Sequence, residues 1–438
     1  MDFLELKDIT TPLGWRISGA LCDLNCDIVQ VPTYPPGLPL LMAIPHELAG
    51  INGANGVVIV SAAVAVWVTG VMVGGMAGVM ASVLLALSPV FIFQSLQPMS
   101  DVPVTAAWML CFFLLSRGKA DGLAGAACGV AVLIRPNLAP LAIVPLLIAG
   151  RKIVFATPVV AAGLFLGVVQ MSWYGSPLQS GYGAANELFT LANIAPNVQR
   201  YSTWLIATAP VMLLAPLGFM RVRNGRQSRA LAVFSLLVIA AYLIYGVFDN
   251  WSYLRFLLPA LAVFAMLAAI ELWTWIERLP ISWRPPIVFC LILVVTAHSV
   301  IVARSLDTFQ LADQVRRVEQ VANFINEQKE AGAVVLSGEQ SGSVRYYTGR
   351  PILRWEAATA EQLSAAVAVL EQHRRPVYVV LDAWENEPFQ KKFAAVPSLA
   401  LDWPAAVEAG TTHRTRLWRV GDRARFLAGE NLSTIRLP

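Results

Sequence analysis

Residues Gln97–Leu110 read QPMSDVPVTAAWML. One carboxylate, Asp101, stands between two long apolar runs, with Pro98 and Pro103 on either side. What such an acid means depends on the solvent around it, and the flanking runs identify that solvent. From about Asn52 to Arg304 the chain is run after run of Val, Ala, Leu, Ile and Phe. Charge becomes frequent only after Arg304, and residues 1–37 are mixed and polar. Averaged over the chain, 57% of residues are hydrophobic and 14% charged, with a mean hydropathy of +0.60. Ordinary soluble domains carry about 25% charge. The reading is a polytopic α-helical membrane protein with a small C-terminal α/β soluble domain.

A spanning helix needs about 20 mostly apolar residues, fewer inside a bundle. Ten candidates follow one another: 52–70, 74–95, 102–116, 121–135, 138–150, 152–172, 203–220, 230–248, 254–276 and 286–304. Leu38–Leu48 is apolar but brief, and reads as interfacial. Lys and Arg accumulate in short cytoplasmic loops. Here Arg117 and Lys119, Arg151 and Lys152, the group Arg221, Arg223, Arg226 and Arg229, and the pair Arg278 and Arg284 fall at every second turn. They therefore mark one side of the membrane. That explains the basic residues behind the net charge of +4 without calling on nucleic acid.

The other side then carries residues 1–51, Asp101, the turn at Arg135–Asn137, the loop 173–202, the turn 249–253 and everything after 304. Three regions are expected: an outer-face segment with an interfacial helix at 1–51, a transmembrane domain at 52–304, and an extracytoplasmic α/β domain at 305–438. The expected location is the cytoplasmic (inner) membrane, crossed many times. An outer N-terminus with no span before it reads as a chain lacking its first helix, with Met1 an internal methionine or a misassigned start.

The five cysteines are scattered. Cys111, Cys128 and Cys290 lie in apolar runs and read as small buried hydrophobes. Cys22 and Cys26 can pair only if their loop bends back. The four histidines are dispersed, so no His/Cys metal site is expected.

Ionisable residues at membrane depth are costly and point to function by default. Asp101 starts one span. Arg135 lies in LIRPNLAP, where two apolar segments meet at a proline turn beside Asn137. Asp249 and Arg255 flank DNWSYLRFLLPA, and the loop WYGSPLQSGYGAANELF adds Tyr174, Tyr182 and Glu187. Each also has a plainer reading. Ser100 and Asp101 are good helix-capping residues. Arg135 can snorkel to headgroups, and outer Tyr and Trp belong to the interfacial aromatic belt. The coincidence of an acid, an arginine and a proline-rich loop on one face favours the functional reading. A carboxylate that can take a proton and a guanidinium that can clamp phosphate suit transfer from a phospholipid-like donor.

Five segments occur in a familiar order: TYPPGLPLLMA (Thr33–Ala43), LSPVFIFQSLQPMSDVP (Leu87–Pro103), LIRPNLAP (Leu133–Pro140), YGSPLQSGYG (Tyr174–Gly183) and WSYLRFLLPA (Trp251–Ala260). In these the chain resembles bacterial GT-C glycosyltransferases, relatives of protein O-mannosyltransferases and of the aminoarabinose transferases that modify lipid A. The resemblance covers roughly residues 31–304. It implies a polyprenyl-phosphate-linked sugar as donor and inverting transfer, on the outer face, to a glycan, lipid or protein acceptor. It places Asp101 at the family's second outer-loop acid, the candidate catalytic residue here. It sets Arg135 near the donor phosphate and Tyr34 at the end of the first outer loop; the positive charge that a departing phosphate needs makes Arg255 a second phosphate-binding candidate. Tyr34, Asn137, Tyr182 and Glu187 are then the candidate cavity residues. The family's base, an acid just after the first span, has no match among Asp2, Glu5, Asp8, Asp23 and Asp27. No cofactor is expected; a divalent cation is conceivable, but one acid without a partner is a poor magnesium site.

Beyond Arg304, LADQVRRVEQVANFINEQ has helical periodicity. AVVLS, PILRW, VYVVLD and TRLWRV read as strands, with the helical TAEQLSAAVAVLEQH between the second and third. SGEQSGSVRYY reads either as an anion-binding helix start or as an ordinary strand-to-helix turn. Two competing whole-chain readings remain beside the transferase. One is an inactive relative that binds or scaffolds lipid-linked glycan; the other is a lipid-linked sugar flippase. Against the flippase, no internal repeat is visible.

Overall fold

The computed structural model describes residues 15–17, 28–30 and 34–437, apart from 119, 180–187, 331, 357 and 412. The chain forms two compact units, one spanning residues 32–309 and the other containing residues 310–438. Near the N-terminus β1 (Trp15–Ile17) pairs antiparallel with β2 (Ile28–Gln30).

The first unit is helical because its segments are apolar and every backbone polar group in a bilayer must be satisfied within its own segment. Its helices are α1 (Gly37–Val73), α2 (Gly75–Ala86), α3 (Pro89–Ser95), α4 (Asp101–Ser116), α5 (Asp121–Ile134), α6 (Ile143–Ile148), α7 (Lys152–Tyr174), α8 (Ile194–Thr208), α9 (Ala215–Val222), α10 (Arg226–Leu243), α11 (Leu258–Ile276) and α12 (Arg284–Ser305). A 3-10 turn at Pro136–Ala142 leads into α6, and another at Trp251–Leu257 leads into α11. Helix α1 is broken at Ala49 and Gly50, where Gly50 takes a φ of 60°. The break separates the short apolar piece holding Leu38–Leu48 from the longer run beginning near Ile51.

Five of these helices are long and apolar enough to cross a membrane, or seven if each bent pair counts as one span. The bent pairs are α2 with α3, at 65°, and Leu191–Thr208 with Pro210–Val222, at 112°. Asp101–Ser116, Asp121–Ile134 and Pro136–Ile148 are apolar but shorter. Prolines account for both bends: Pro89 and Pro210 lack the N–H that would continue the preceding helix.

Helix α11 is the centre of the unit. Leu258, Ala260, Ala262, Val263, Ala265, Ala268 and Ala269 are all sealed from solvent, and these small side chains let neighbours approach closely. Gly218 of α9 sits so near the Leu267 carbonyl of α11 that any Cβ there would collide with it. The outer helices are the converse. On α7, Ile153, Leu164 and Val168 are exposed, as are Phe289 and Val294 on α12; hydrocarbon, not water, is the solvent such faces suit.

The second unit is built on a six-stranded sheet of order β4-β3-β5-β7-β6-β8. Its strands are β3 (Val334–Ser337), β4 (Ile352–Arg354), β5 (Val377–Asp382), β6 (Val407–Ala409), β7 (Thr415–Arg419) and β8 (Ile435–Leu437). Strands β3, β4 and β5 run parallel, while β7 is antiparallel to β5 and β6. Helices α13 (Leu311–Glu327), α14 (Ser341–Thr348), α15 (Ala360–Gln372) and α16 (Asn386–Phe393) supply the crossovers and cover the faces. Helix α15 begins with a reciprocal capping box between Thr359 and Gln362. Such caps stabilise a helix start by about 1 kcal/mol. Strands β6 and β8, of three residues each, carry too short a pattern to be marked in the sequence.

Candidate functional site

Asp101 opens α4, and its carboxylate is sealed from solvent. Ser100 before it makes no side-chain cap to the helix, and the Asp101 side chain is not used as a cap either. One carboxylate oxygen, Oδ1, accepts a hydrogen bond from Nη2 of Arg135. The other, Oδ2, lies 3.9 Å from Nε of Arg255. Thus the acid at the mouth of α4 is the shared counter-ion of two arginines that are 34 and 154 residues away in the chain.

Arg135 stands between α5 and the turn Pro136–Ala142, and Pro136 ends the helical run at this point. Its guanidinium has three partners. Nη2 donates to Asp101, Nε donates to Ser100 Oγ at 3.2 Å, and Nη1 donates to Tyr242 Oη at 2.8 Å. Asn137 Nδ2 also donates to the Tyr242 hydroxyl, at 3.1 Å. Arg135 further lies over the rings of Tyr242 and Phe256, at 5.8 and 5.2 Å from their centroids. Only 8% of it is exposed.

Arg255 is held differently. It sits over the rings of Tyr253 and Phe256, at 4.8 and 5.3 Å, in the 3-10 turn that leads into α11. Its Nε makes no hydrogen bond, and neither does Asp101 Oδ2 facing it. Buried polar atoms are almost always hydrogen-bonded, so this gap is the unsatisfied point of the cluster. Each guanidinium nitrogen of Arg135 donates one hydrogen bond, whereas Nε of Arg255 donates none.

A second layer fixes Tyr242. Its ring stacks on Phe256 with centroids 4.9 Å apart and planes 9° from parallel. The end of α10, which carries it, is held by Asn197 of α8. That side chain is buried, and its Nδ2 donates to the carbonyls of Tyr242, Leu243 and Tyr245 at 3.3, 3.1 and 2.7 Å. Tyr201 Oη donates to the same Tyr242 carbonyl at 3.4 Å.

Of the residues singled out by sequence, then, Asp101, Arg135 and Arg255 converge, and Asn137 joins them through Tyr242. Tyr34 lies three residues before Gly37, whose Cα packs directly on the Leu133–Ile134 backbone just ahead of Arg135. Tyr34 itself is mostly exposed. Tyr182 and Glu187 lie outside the described residues, as do Cys22 and Cys26. Tyr242, Tyr253, Phe256, Ser100 and Asn197 were not singled out. Their only signal is polar or aromatic character at the ends of apolar runs, which the interfacial aromatic belt shares. Among the described residues, no three His, Cys, Asp or Glu side chains converge in a way that would hold a metal ion.

Solved structures with this arrangement of helices exist. The chain superposes on ArnT from Cupriavidus metallidurans in the apo state with a TM-score of 0.55 and 13% identity, covering 95% of this chain and 93% of that one. Against the same protein bound to undecaprenyl phosphate the TM-score is 0.56, with 12% identity and 95% of each chain covered. The chain has a GT-C-like fold. No protein-family profile matches it, and no curated protein does.

Proposed function

We propose that this protein is a membrane glycosyltransferase of inverting type, moving a sugar from a polyprenyl-phosphate-linked donor to an acceptor at the outer face of the cytoplasmic membrane. The observation that carries the reading is the pair of arginines gathered on one buried carboxylate, in a fold whose solved neighbour was crystallised with undecaprenyl phosphate. Two guanidiniums at membrane depth need an anion, and a lipid phosphate supplies one that Asp101 only partly replaces.

In the proposed step an acceptor hydroxyl attacks the anomeric carbon. The bond from that carbon to the phosphate oxygen breaks, and its electron pair leaves with the polyprenyl phosphate. Charge grows on that phosphate, so a donor aimed at it lowers the barrier. Arg255, with an unused Nε, is the better placed of the two; Arg135 acts by holding Asp101 and the turn around it. The hydroxyl proton goes to a carboxylate, and Asp101 serves as that base only if its ion pair with Arg255 opens. Residues 32–309 would carry this chemistry, with α4, α5 and Pro136–Ile148 completing the set of ten spans. The 310–438 unit would stand on the outer side.

A second reading is favoured by one observation: Asp101 is sealed from solvent and lies between two arginines. A protein that binds lipid-linked glycan without transferring it needs no free base.

The test is reconstitution of the purified chain in liposomes with undecaprenyl-phosphate-linked pentoses and hexoses, following donor and free undecaprenyl phosphate by mass spectrometry. Turnover lost in Arg255→Ala and Arg135→Ala supports transfer. Tight binding of undecaprenyl phosphate with no release of sugar from any donor supports the binding reading. Movement of intact donor across the bilayer would instead identify a flippase.

A further inference from the structure

The stretch SGEQSGSVRYY (Ser337–Tyr347) ends β3, turns, and opens α14. The chemistry of the membrane unit leaves it unused. In the sheet, β3 lies between β4 and β5 and is parallel to both. The chain leaves β3 for β4 on one side, then returns past it to β5 on the other. The connections that follow β3 and β5 therefore part at the carboxyl ends of these strands. Open α/β sheets bind ligands at such switch points.

Two helices begin at that same end. Helix α13 leads into β3 and α14 links β3 to the parallel β4, so both run against the strands. Side chains alternate across a strand, which puts Ser337 on the face of Val335, and Asp382 on the face of Tyr378 and Val380. That face is packed by Val318 of α13 and Val344 of α14. Ser337 is sealed, and its Oγ has no hydrogen-bond partner. Arg317, in the second turn of α13, is only 7% exposed. Its Nη2 donates to Asp382 Oδ2 at 2.9 Å, and its Nε donates to nothing. Gln340, the residue before α14, donates from Nε2 to the same oxygen, also at 2.9 Å. The guanidinium and the Gln340 amide thus stand no more than twice that distance apart.

The start of α14 is itself open. No side chain caps it, so its first N–H groups keep the positive end of the helix dipole unopposed. Gly342 and Ser343 are exposed, and a Cβ on Gly342 would meet nothing within 4 Å. The acids nearby do not oppose an anion here. Asp382 is neutralised by Arg317, Glu385 bonds Trp355 on the other face of the sheet, and Glu339 is exposed to solvent, which screens it.

We propose that the first turn of α14 binds a phosphate group, with Arg317 as its positive partner. Donors from a helix start, a strand end and a second helix suit the tetrahedral oxygens of a phosphate better than the two coplanar oxygens of a carboxylate. The inference stands apart from the transferase reading, since it uses residues of the second unit alone.

Equilibrium dialysis of the full chain in detergent micelles, against labelled inorganic phosphate and against a hexose 1-phosphate, tests it. Saturable binding is expected. Ser343→Asp should weaken it at least about tenfold, because its carboxylate takes the place of the anion while suiting the helix start. Ser343→Ala should lose much less. Arg317→Gln should also lose at least about tenfold, as expected for a hydrogen bond to a charged group. Arg255→Ala, which removes the phosphate donor of the membrane unit, should leave this binding in place. Tighter binding of the hexose phosphate supports the site with a sugar phosphate as its ligand; tighter binding of the free ion supports it with inorganic phosphate. No saturable binding by wild type, wild-type affinity in Ser343→Asp, or loss of binding in Arg255→Ala overturns the proposal. Should Arg317→Gln fail to fold, Ser343→Asp, altered at an exposed position, still decides.

Discussion

Removing the charge of Asp101 is the most informative single perturbation. The carboxylate has no exposed surface, and Arg135 beside it is only 8% exposed. Breaking a buried pair by deleting one member leaves the other charge unsolvated, at a cost of about 3–5 kcal/mol. Asp101→Asn should therefore destabilise the membrane unit by roughly 3 kcal/mol, since the amide can still accept one hydrogen bond from Arg135. Arg135→Met should cost a similar amount by stranding the carboxylate and the Tyr242 hydroxyl. The double variant strands neither member of this pair and leaves only Arg255 without its counter-ion, as Asp101→Asn alone already does, so the two losses should fail to add by at least about 2 kcal/mol. The assay is reversible unfolding in mixed micelles, run as a full double-mutant cycle. Additive losses, with coupling below about 0.5 kcal/mol, would mean that the two side chains do not share a desolvated site. The account of the cluster would then be wrong.

Three further outcomes are expected. Tyr242→Phe removes the acceptor shared by Arg135 and Asn137; it should cost about 1–3 kcal/mol and weaken undecaprenyl phosphate binding while leaving helix content by circular dichroism unchanged. Gly37→Ala should reduce the yield of folded protein, because its Cβ has no room against the Leu133–Ile134 backbone; a melting temperature equal to wild type would show that α1 can shift there without penalty. In the second unit, burial pushes the Glu385 carboxyl up to about 7, with the Asp382 charge adding to the rise and the N–H groups of Asp382 and Glu339 opposing it. Its folded pKa exceeds the unfolded value, so the associated stability is complete below about pH 4.5 and is lost as pH rises through 7. The difference is at most about 3 kcal/mol. Proteolytic susceptibility around 377–393 in urea should increase from pH 5 to pH 8 in wild type and stay level in Glu385→Gln.

Much of the membrane unit was legible because the bilayer leaves so few options. Apolar runs had to be helices, and Asp101, Arg135 and Arg255 stood out because charge at that depth is rare and costly. What a linear pattern does not carry is which charges meet. Asp101 joins Arg255 across 154 positions, and only the packing of α4 against α11, into which the Arg255 turn leads, makes them neighbours. Tyr242 was hidden for a related reason: at the end of IAAYL it has the spacing of any interfacial tyrosine, and its role comes from Arg135 and Asn137 arriving from another helix. Span counting had a different limit. Hydropathy marks Asp101–Ser116 and Asp121–Ile134 as apolar, but their 16 and 14 residues are fewer than the ~20 that identify a span by length alone. The bends at Pro89 and Pro210 likewise divide runs that read as continuous.

The open contact between Asp101 and Arg255 ties the cluster's stability to what it can do. At 3.9 Å, with neither facing atom hydrogen-bonded, the two charges attract each other without the short bond that would hold them. Arg135 has less slack, since each of its three nitrogens donates a hydrogen bond and two rings cover it. In the proposed reaction an arriving phosphate would meet one guanidinium with an unused Nε and one whose three nitrogens are all engaged. If Arg255 turns, Asp101 Oδ2 loses its counter-ion while Oδ1 keeps Arg135, and the carboxylate is left with one lone-pair side free to accept a proton. Arg255→Lys separates these roles. The compact ammonium keeps the charge but lacks the planar fork and cannot lie as flat on Tyr253 and Phe256. Undecaprenyl phosphate affinity should fall about tenfold, with the Asp101–Arg135 coupling energy unchanged. A loss of that coupling in Arg255→Lys would mean that the three charges form one rigid unit with no part free to move.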